Sequence, residues 1–179
     1  MYKRQLAGFI VTNSQEISDK LRFLIKTVGS GLAPFDSWLI LRGIKTLPIR
    51  MEKAQENAQA IVEFLLQEKK VTKVYYPGIE GTKAYEICKK QASGFGSMLT
   101  FEVESKELAL HILKSTKLIP FAESLGGVET LLTYPTTQTH ADVPEEVRIR
   151  NGITDRVLRL SVGIEDKACL LYTSDAADE

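Results

Sequence analysis

The sequence is poor in the features that mark several large classes of protein. It has only two cysteines, Cys88 and Cys169, without the C-x-x-C spacing of a metal or redox pair, and nothing in their placement argues for a disulfide, so two free thiols are expected. It has two histidines, His111 and His140, far apart and without metal-ligand spacing, which argues against a metal centre. It has no excess charge. The 23 basic and 23 acidic residues cancel, so no long-range field draws the chain to nucleic acid or an anionic membrane, and any partner must be recognised locally. Runs such as 37–41 and 61–66 fall far short of the roughly 20 apolar residues of a membrane span, and no signal-peptide pattern opens the chain; a soluble, cytoplasmic protein is expected. The glycine signatures of dinucleotide-binding folds, P-loops and nucleophile elbows are also missing.

What is present is a chain of 179 residues, 44% of them apolar, enough for a real core. Ala7 to Val11 reads as a strand. Ser14 to Val28 reads as a helix with Ile17, Leu21, Leu24 and Ile25 on one stripe, ended by Gly29, Gly31 and Pro34. From Phe35 to about Lys69, apolar residues recur every three or four positions (Trp38, Leu41, Ile44, Leu47, Met51, Ala54, Ala58, Ile61, Leu65), the period of a long amphipathic helix that Pro48 should kink or divide. After Lys70 the pattern shortens into the strand VTKVYYPG, a helix over Lys83–Gln91 and the strand GFGSMLTFEV, with Phe95, Ser97, Leu99, Phe101 and Val103 on one face. A helix capped by Ser105 and a short one opening at Pro144 and leaving through Asn151-Gly152 follow. In VLRLSVGIE, Leu158, Leu160, Val162 and Ile164 alternate with Val157, Arg159, Ser161 and Gly163. The physical reading is a small α+β sandwich after Lys70, joined through a long helix to part of something else.

Arg159 is the sharpest chemical candidate, because a guanidinium fork can hold a carboxylate through two parallel hydrogen bonds. The ordinary alternative is an arginine on the solvated face of a half-exposed antiparallel strand. FAESLGGVETL brings Glu123, Ser124 and the Gly126-Gly127 pair to a point where the backbone can turn tightly or approach a ligand, although paired glycines are more often only a turn. His140 could act as acid or base, against the more ordinary reading of a loop histidine in local hydrogen bonds.

Six segments together carry a resemblance: APFDSWLILRGIKTLPIRME (33–52), YYPG (75–78), GFGSMLTFE (94–102), AESLGGVETL from Ala122, THA (139–141) and RLSVGIED (159–166). In this order and spacing the chain resembles the pyridoxal-phosphate (PLP) enzymes of cysteine and methionine metabolism, the cystathionine γ-synthases, cystathionine β- and γ-lyases and methionine γ-lyases. The resemblance implies an α/β fold of the aspartate-aminotransferase type (PLP-dependent transferase fold type I), of which this chain would be the last part of the large domain plus the small α+β C-terminal domain. It implies the cofactor pyridoxal 5'-phosphate, a small amino-acid substrate, a homo-oligomeric parent built as a dimer of dimers, and elimination or replacement at the β- or γ-carbon after loss of the α-proton. Position by position, Arg159 matches the arginine that binds the substrate α-carboxylate. Ser124 matches a serine lining the site beside the cofactor-bearing lysine, Glu123 a position that selects substrate and reaction, and Thr139 a threonine supporting the cofactor-lysine region.

Both ends depart from the family pattern. MYKRQL stands where a lysine-bearing segment belongs, and Lys3 does not match that lysine. The residues that hold the cofactor's phosphate, ring and pyridine nitrogen would lie further upstream, and KACLLYTSDAADE replaces the usual closing helix. The organisation expected is therefore a foreign flank at 1–6, the end of the cofactor domain and its linking helix at 7–69, the small domain at 70–166, and a foreign tail at 167–179. Such a fragment should be inactive alone and poorly soluble. The parent would cleave cystathionine-like substrates as a β- or γ-lyase, or form them as a γ-synthase. A non-catalytic binding or dimerisation module that has lost the cofactor site is the alternative from another class.

Overall fold

The computed structural model describes residues 7–175, with side chains to Tyr172; the segment 1–6 and the last residues of the tail lie outside the described residues. The chain divides into two compact units, the first ending at Pro48 and the second beginning at Ile49.

The first unit holds α1 (Gln15–Val28) and α2 (Pro34–Ile44). Helix α1 is delimited by local chemistry: the Ser14 hydroxyl accepts the Ile17 N–H at 3.3 Å, and Gly29, at φ +73°, sends its N–H back to the Ile25 carbonyl at 2.9 Å. Pro34 occupies the first turn of α2, where its missing N–H costs nothing. Neither helix has a buried residue. The strand expected at Ala7–Val11 is not formed. Phe9, Ile10 and Val11 are exposed, and a lone extended segment has no ladder partner to hold it.

The long periodic stretch is divided as Pro48 suggested. After the break at Lys45 and Thr46, α3 (Leu47–Gln67) starts with Pro48 as its second residue. From Ala54 onward α3 buries Ala58, Ile61, Val62 and Leu65 in the core of the second unit, which begins at Ile49.

That core lies on one face of a four-stranded antiparallel sheet. Its strands are β1 (Val71–Tyr75), β2 (Met98–Val103), β3 (Leu131–Thr133) and β4 (Val157–Ser161), in the spatial order β1-β2-β4-β3. Leu99, Phe101 and Val103 alternate inward as their spacing required, and Leu158, Leu160 and Leu132 join them. Helices α4 (Lys83–Gln91), α5 (Lys106–Ser115), α6 (Glu145–Arg150) and α7 (Lys167–Asp175) complete the chain. Thr82 caps α4, Ser105 caps α5, and Asp166 accepts the Cys169 N–H at 3.1 Å to open α7. Leu170 of α7 is fully buried in the core, so the start of the tail set apart in the sequence is packed in this unit.

Candidate functional site

The sequence pattern of β4 predicts one solvated face. The structure corrects this: Val157 and Ser161, on the face opposite the core, are as buried as Leu158 and Leu160. The reason is position. β4 is a central strand between β2 and β3, and the loop from Ala122 to Thr130 is fastened over its second face. Only Arg159 keeps partial exposure there.

Pairing places Arg159 between Thr100 of β2 and Thr133 of β3. Its Nη2 donates to the Thr133 hydroxyl at 3.0 Å and to the Glu123 carbonyl at 3.3 Å. Thr133 passes the connection on, donating its hydroxyl proton to the Ala122 carbonyl at 2.8 Å. The Arg159 Nε is buried and has no partner among the described residues. Burial pulls the guanidinium below its ordinary pKa, and the neighbouring Glu123 carboxylate opposes that shift. The arginine stays charged in either case. A half-buried cation with a free N–H is an arrangement that favours a carboxylate ligand, because an unpaired buried donor is costly.

The loop that carries Glu123 and Ser124 is held along its length. Ala122 N–H bonds the Leu132 carbonyl at 2.9 Å, Gly126 N–H bonds the Ser161 hydroxyl at 2.9 Å, and the Val128 carbonyl accepts the Ile164 N–H at 2.9 Å. Gly126 sits at φ +73°, a conformation that favours glycine, and the loop bends there. The Glu123 and Ser124 side chains are exposed on the same loop whose backbone Arg159 touches, and the Ser124 hydroxyl has no hydrogen-bond partner among the described residues.

Thr139 is elsewhere. It lies in the turn after β3, where its hydroxyl pairs with His140 Nδ1 at 2.8 Å and the His140 N–H bonds the Pro135 carbonyl at 2.9 Å. No hydrogen bond among the described residues links it to Arg159, Glu123 or Ser124. His140 is thus a loop histidine in local bonds, and His111, exposed on α5, pairs with Ser115 at 3.2 Å.

Sequence reasoning did not single out Thr133, Ser161, Thr130, Glu165 or Asn57, all of which hold this site together. The available signals were slight: Ser161 shares a strand face with Arg159, and Asn57 is a polar residue set among apolar ones on α3.

The family described as Cys/Met metabolism PLP-dependent enzymes matches residues 2–175. Among curated relatives, a cystathionine beta-lyase of Lactococcus lactis subsp. cremoris (strain MG1363) is 47% identical over 160 residues, which are 89% of this chain and 42% of that protein. A cystathionine gamma-lyase of Bacillus subtilis (strain 168) is 45% identical over 166 residues, 93% of this chain and 44% of the relative. A cystathionine gamma-synthase of Haemophilus influenzae is 47% identical over 161 residues, 90% and 39%. The solved cystathionine gamma-lyase from yeast superposes with a TM-score of 0.89 at 39% identity, covering 94% of this chain and 44% of that one. The chain therefore spans about two fifths of the length of the relatives it matches. With the arginine strand, the glycine-paired loop and the sheet in place, the chain belongs to the Cys/Met metabolism PLP-dependent enzymes.

Proposed function

We propose that this chain is the C-terminal portion, the end of the large domain plus the small α+β domain, of a trans-sulfuration enzyme that cleaves the carbon–sulfur bond of cystathionine-like amino acids as a β- or γ-lyase. The observation that carries the reading is Arg159: Nη2 fixes it to the Glu123 loop and Thr133, while its buried Nε is left for an incoming group. A substrate α-carboxylate placed there satisfies that donor and orients the amino acid. The Glu123 carboxylate, on the same loop, is suited to the distal ammonium of cystathionine, and the free Ser124 hydroxyl lines the site. Thr139 supports the cofactor region through its own loop.

Pyridoxal 5'-phosphate, when bound, supplies the electron sink for α-proton loss and elimination. The side chains around Arg159 fit an amino acid: a half-buried guanidinium with an unpartnered Nε, beside an exposed carboxylate and an exposed hydroxyl on the loop it touches. We assign the cofactor lysine to sequence outside this chain, and the chain alone should not turn over. The complete enzyme is read as a cytoplasmic homo-oligomer, a dimer of dimers; the uncovered apolar side chains of α1 and α2 support a need for further chain or subunit surface. Gamma-synthase activity is the second reading, favoured by the likeness to the Haemophilus influenzae protein.

The test joins this chain from Ala7 to the upstream segment of the Lactococcus lactis relative, adds the cofactor and follows L-cystathionine. Homocysteine with pyruvate identifies β-cleavage, cysteine with 2-oxobutyrate identifies γ-cleavage, and condensation of an activated homoserine with cysteine identifies the synthase. No reaction of any kind, while the same upstream segment works with its own C-terminal part, would contradict the enzyme reading and leave a non-catalytic module.

A further inference from the structure

Behind the Arg159 site lies a closed set of hydrogen bonds that neither the arginine nor the loop motif accounts for. The half-buried Glu165 carboxylate accepts twice from one residue, taking the Thr130 N–H at 2.5 Å and the Thr130 hydroxyl at 2.7 Å. The Thr130 oxygen in turn accepts the Gly163 N–H at 2.9 Å. From α3, the fully buried Asn57 donates its side-chain amide to the Gly163 carbonyl at 3.1 Å and to the Glu165 carbonyl at 2.8 Å. Gly163 has no room for a side chain: a Cβ there would run into the Val128 carbonyl oxygen and come within 2.6 Å of the Glu129 carbonyl carbon. The 122–130 loop is thus fixed at its entry by the Ala122–Leu132 pairing and at its exit by Glu165, with the Gly126–Ser161 bond between.

We propose that Glu165, acting with Thr130, is a positioning residue that sets the height of the 122–130 loop over β4 and so fixes where Glu123 and Ser124 stand relative to Arg159. This deepens the function proposed above and rests on its reading of Arg159 as a carboxylate holder. The chemistry of the network explains why a carboxylate is needed. Thr130 offers two donors side by side, and an ionised carboxylate has an acceptor oxygen for each. A glutamine at 165 would set an NH2 group against one of those donors. A valine at 130 would keep the shape but leave the buried Gly163 N–H without an acceptor. A serine at 130 keeps every bond.

The experiment uses the chain completed with the Lactococcus lactis upstream segment and loaded with cofactor, with backbone-amide exchange and the Arg159 Nε–H resonance followed by NMR and L-cystathionine as the probe. For Glu165→Gln and Thr130→Val, exchange at Gly126 and Ile164 should accelerate at least roughly tenfold, the ratio that one lost hydrogen bond gives. The concentration that half-shifts the Arg159 signal should rise by a similar factor, with the amides of β2 unaffected. Thr130→Ser should behave as the unaltered chain. Unchanged exchange and titration in Thr130→Val would overturn the proposal, as would equal acceleration throughout β2, which would reduce the network to general stability. If L-cystathionine leaves Arg159 unmoved in the unaltered chain while the variants still loosen Gly126, the positioning role stands and the carboxylate reading of Arg159 falls.

Discussion

Trp38, Leu41 and Ile44 in α2 and Ala58, Ile61 and Leu65 in α3 both recur every three or four positions, yet the first three are 50, 64 and 48% exposed and the second three are 0, 2 and 8%. Both helices have the sequence period of a buried stripe; within the second unit, that of α3 packs in the core on the sheet. Local signals alone therefore delimit α1 and α2, whereas burial needs the partner that β2, β3 and β4 supply.

The largest effect expected from this contrast is on core truncation. Leu158→Ala, at a fully buried position on β4 opposite Phe101 of β2, should destabilise the second unit by about 3 kcal/mol, while Leu41→Ala should change its stability by less than about 0.5 kcal/mol. Denaturant unfolding followed by signals from the sheet measures both, and similar costs would break the distinction. Gly163→Ala comes next, at about 2 kcal/mol, because the added methyl meets backbone atoms of the 122–130 loop that cannot swing aside. Its mark should be faster exchange at Gly126 before any loss in β1. Ser14→Ala removes the cap of a helix without buried residues, costing about 1 kcal/mol of α1 helicity and leaving the unfolding of the second unit unchanged; circular dichroism against sheet-specific exchange separates the two.

A smaller effect appears only in alkali. Burial, with a lesser contribution from Cys88, pushes the Tyr76 hydroxyl up to about 12, while its proton is donated to the Gly96 carbonyl at 2.9 Å. An unfolded tyrosine ionises near about 10. Since the folded form holds the proton more tightly, this stabilisation is whole below about pH 10 and is lost as the pH rises toward about 12. Tyr76→Phe should flatten the alkaline decline in stability between those values, and an unchanged slope would count against the assignment.

Much of this was legible in the sequence where the cause is local. Ser14, Ser105 and Asn151-Gly152 mark helix ends because their side chains or backbone freedom act within a few residues, and Leu99, Phe101 and Val103 reveal their face by alternation alone. Ala7 to Val11 misled because strand composition does not supply a neighbouring strand. The second face of β4 misled for the opposite reason: its cover is a loop more than thirty residues away in sequence, fixed through Ser161 and Thr133. Arg159 was recognisable by its type and place, but its restraint by Thr133 and the Glu123 carbonyl depends on register between strands that no local pattern encodes. Thr130, Glu165 and Asn57 were hidden likewise, each a polar residue whose partner is brought to it only by the fold.

The central claim is that the Arg159 guanidinium, with its free buried Nε, holds the substrate carboxylate. It is tested most directly by the steady-state kinetics of Arg159→Lys in the chain completed with the Lactococcus lactis upstream segment. A lysine keeps the charge but loses the planar fork, so kcat/KM for L-cystathionine should fall by roughly 100-fold, mostly through KM. An unchanged KM in a folded, cofactor-loaded enzyme would contradict the account.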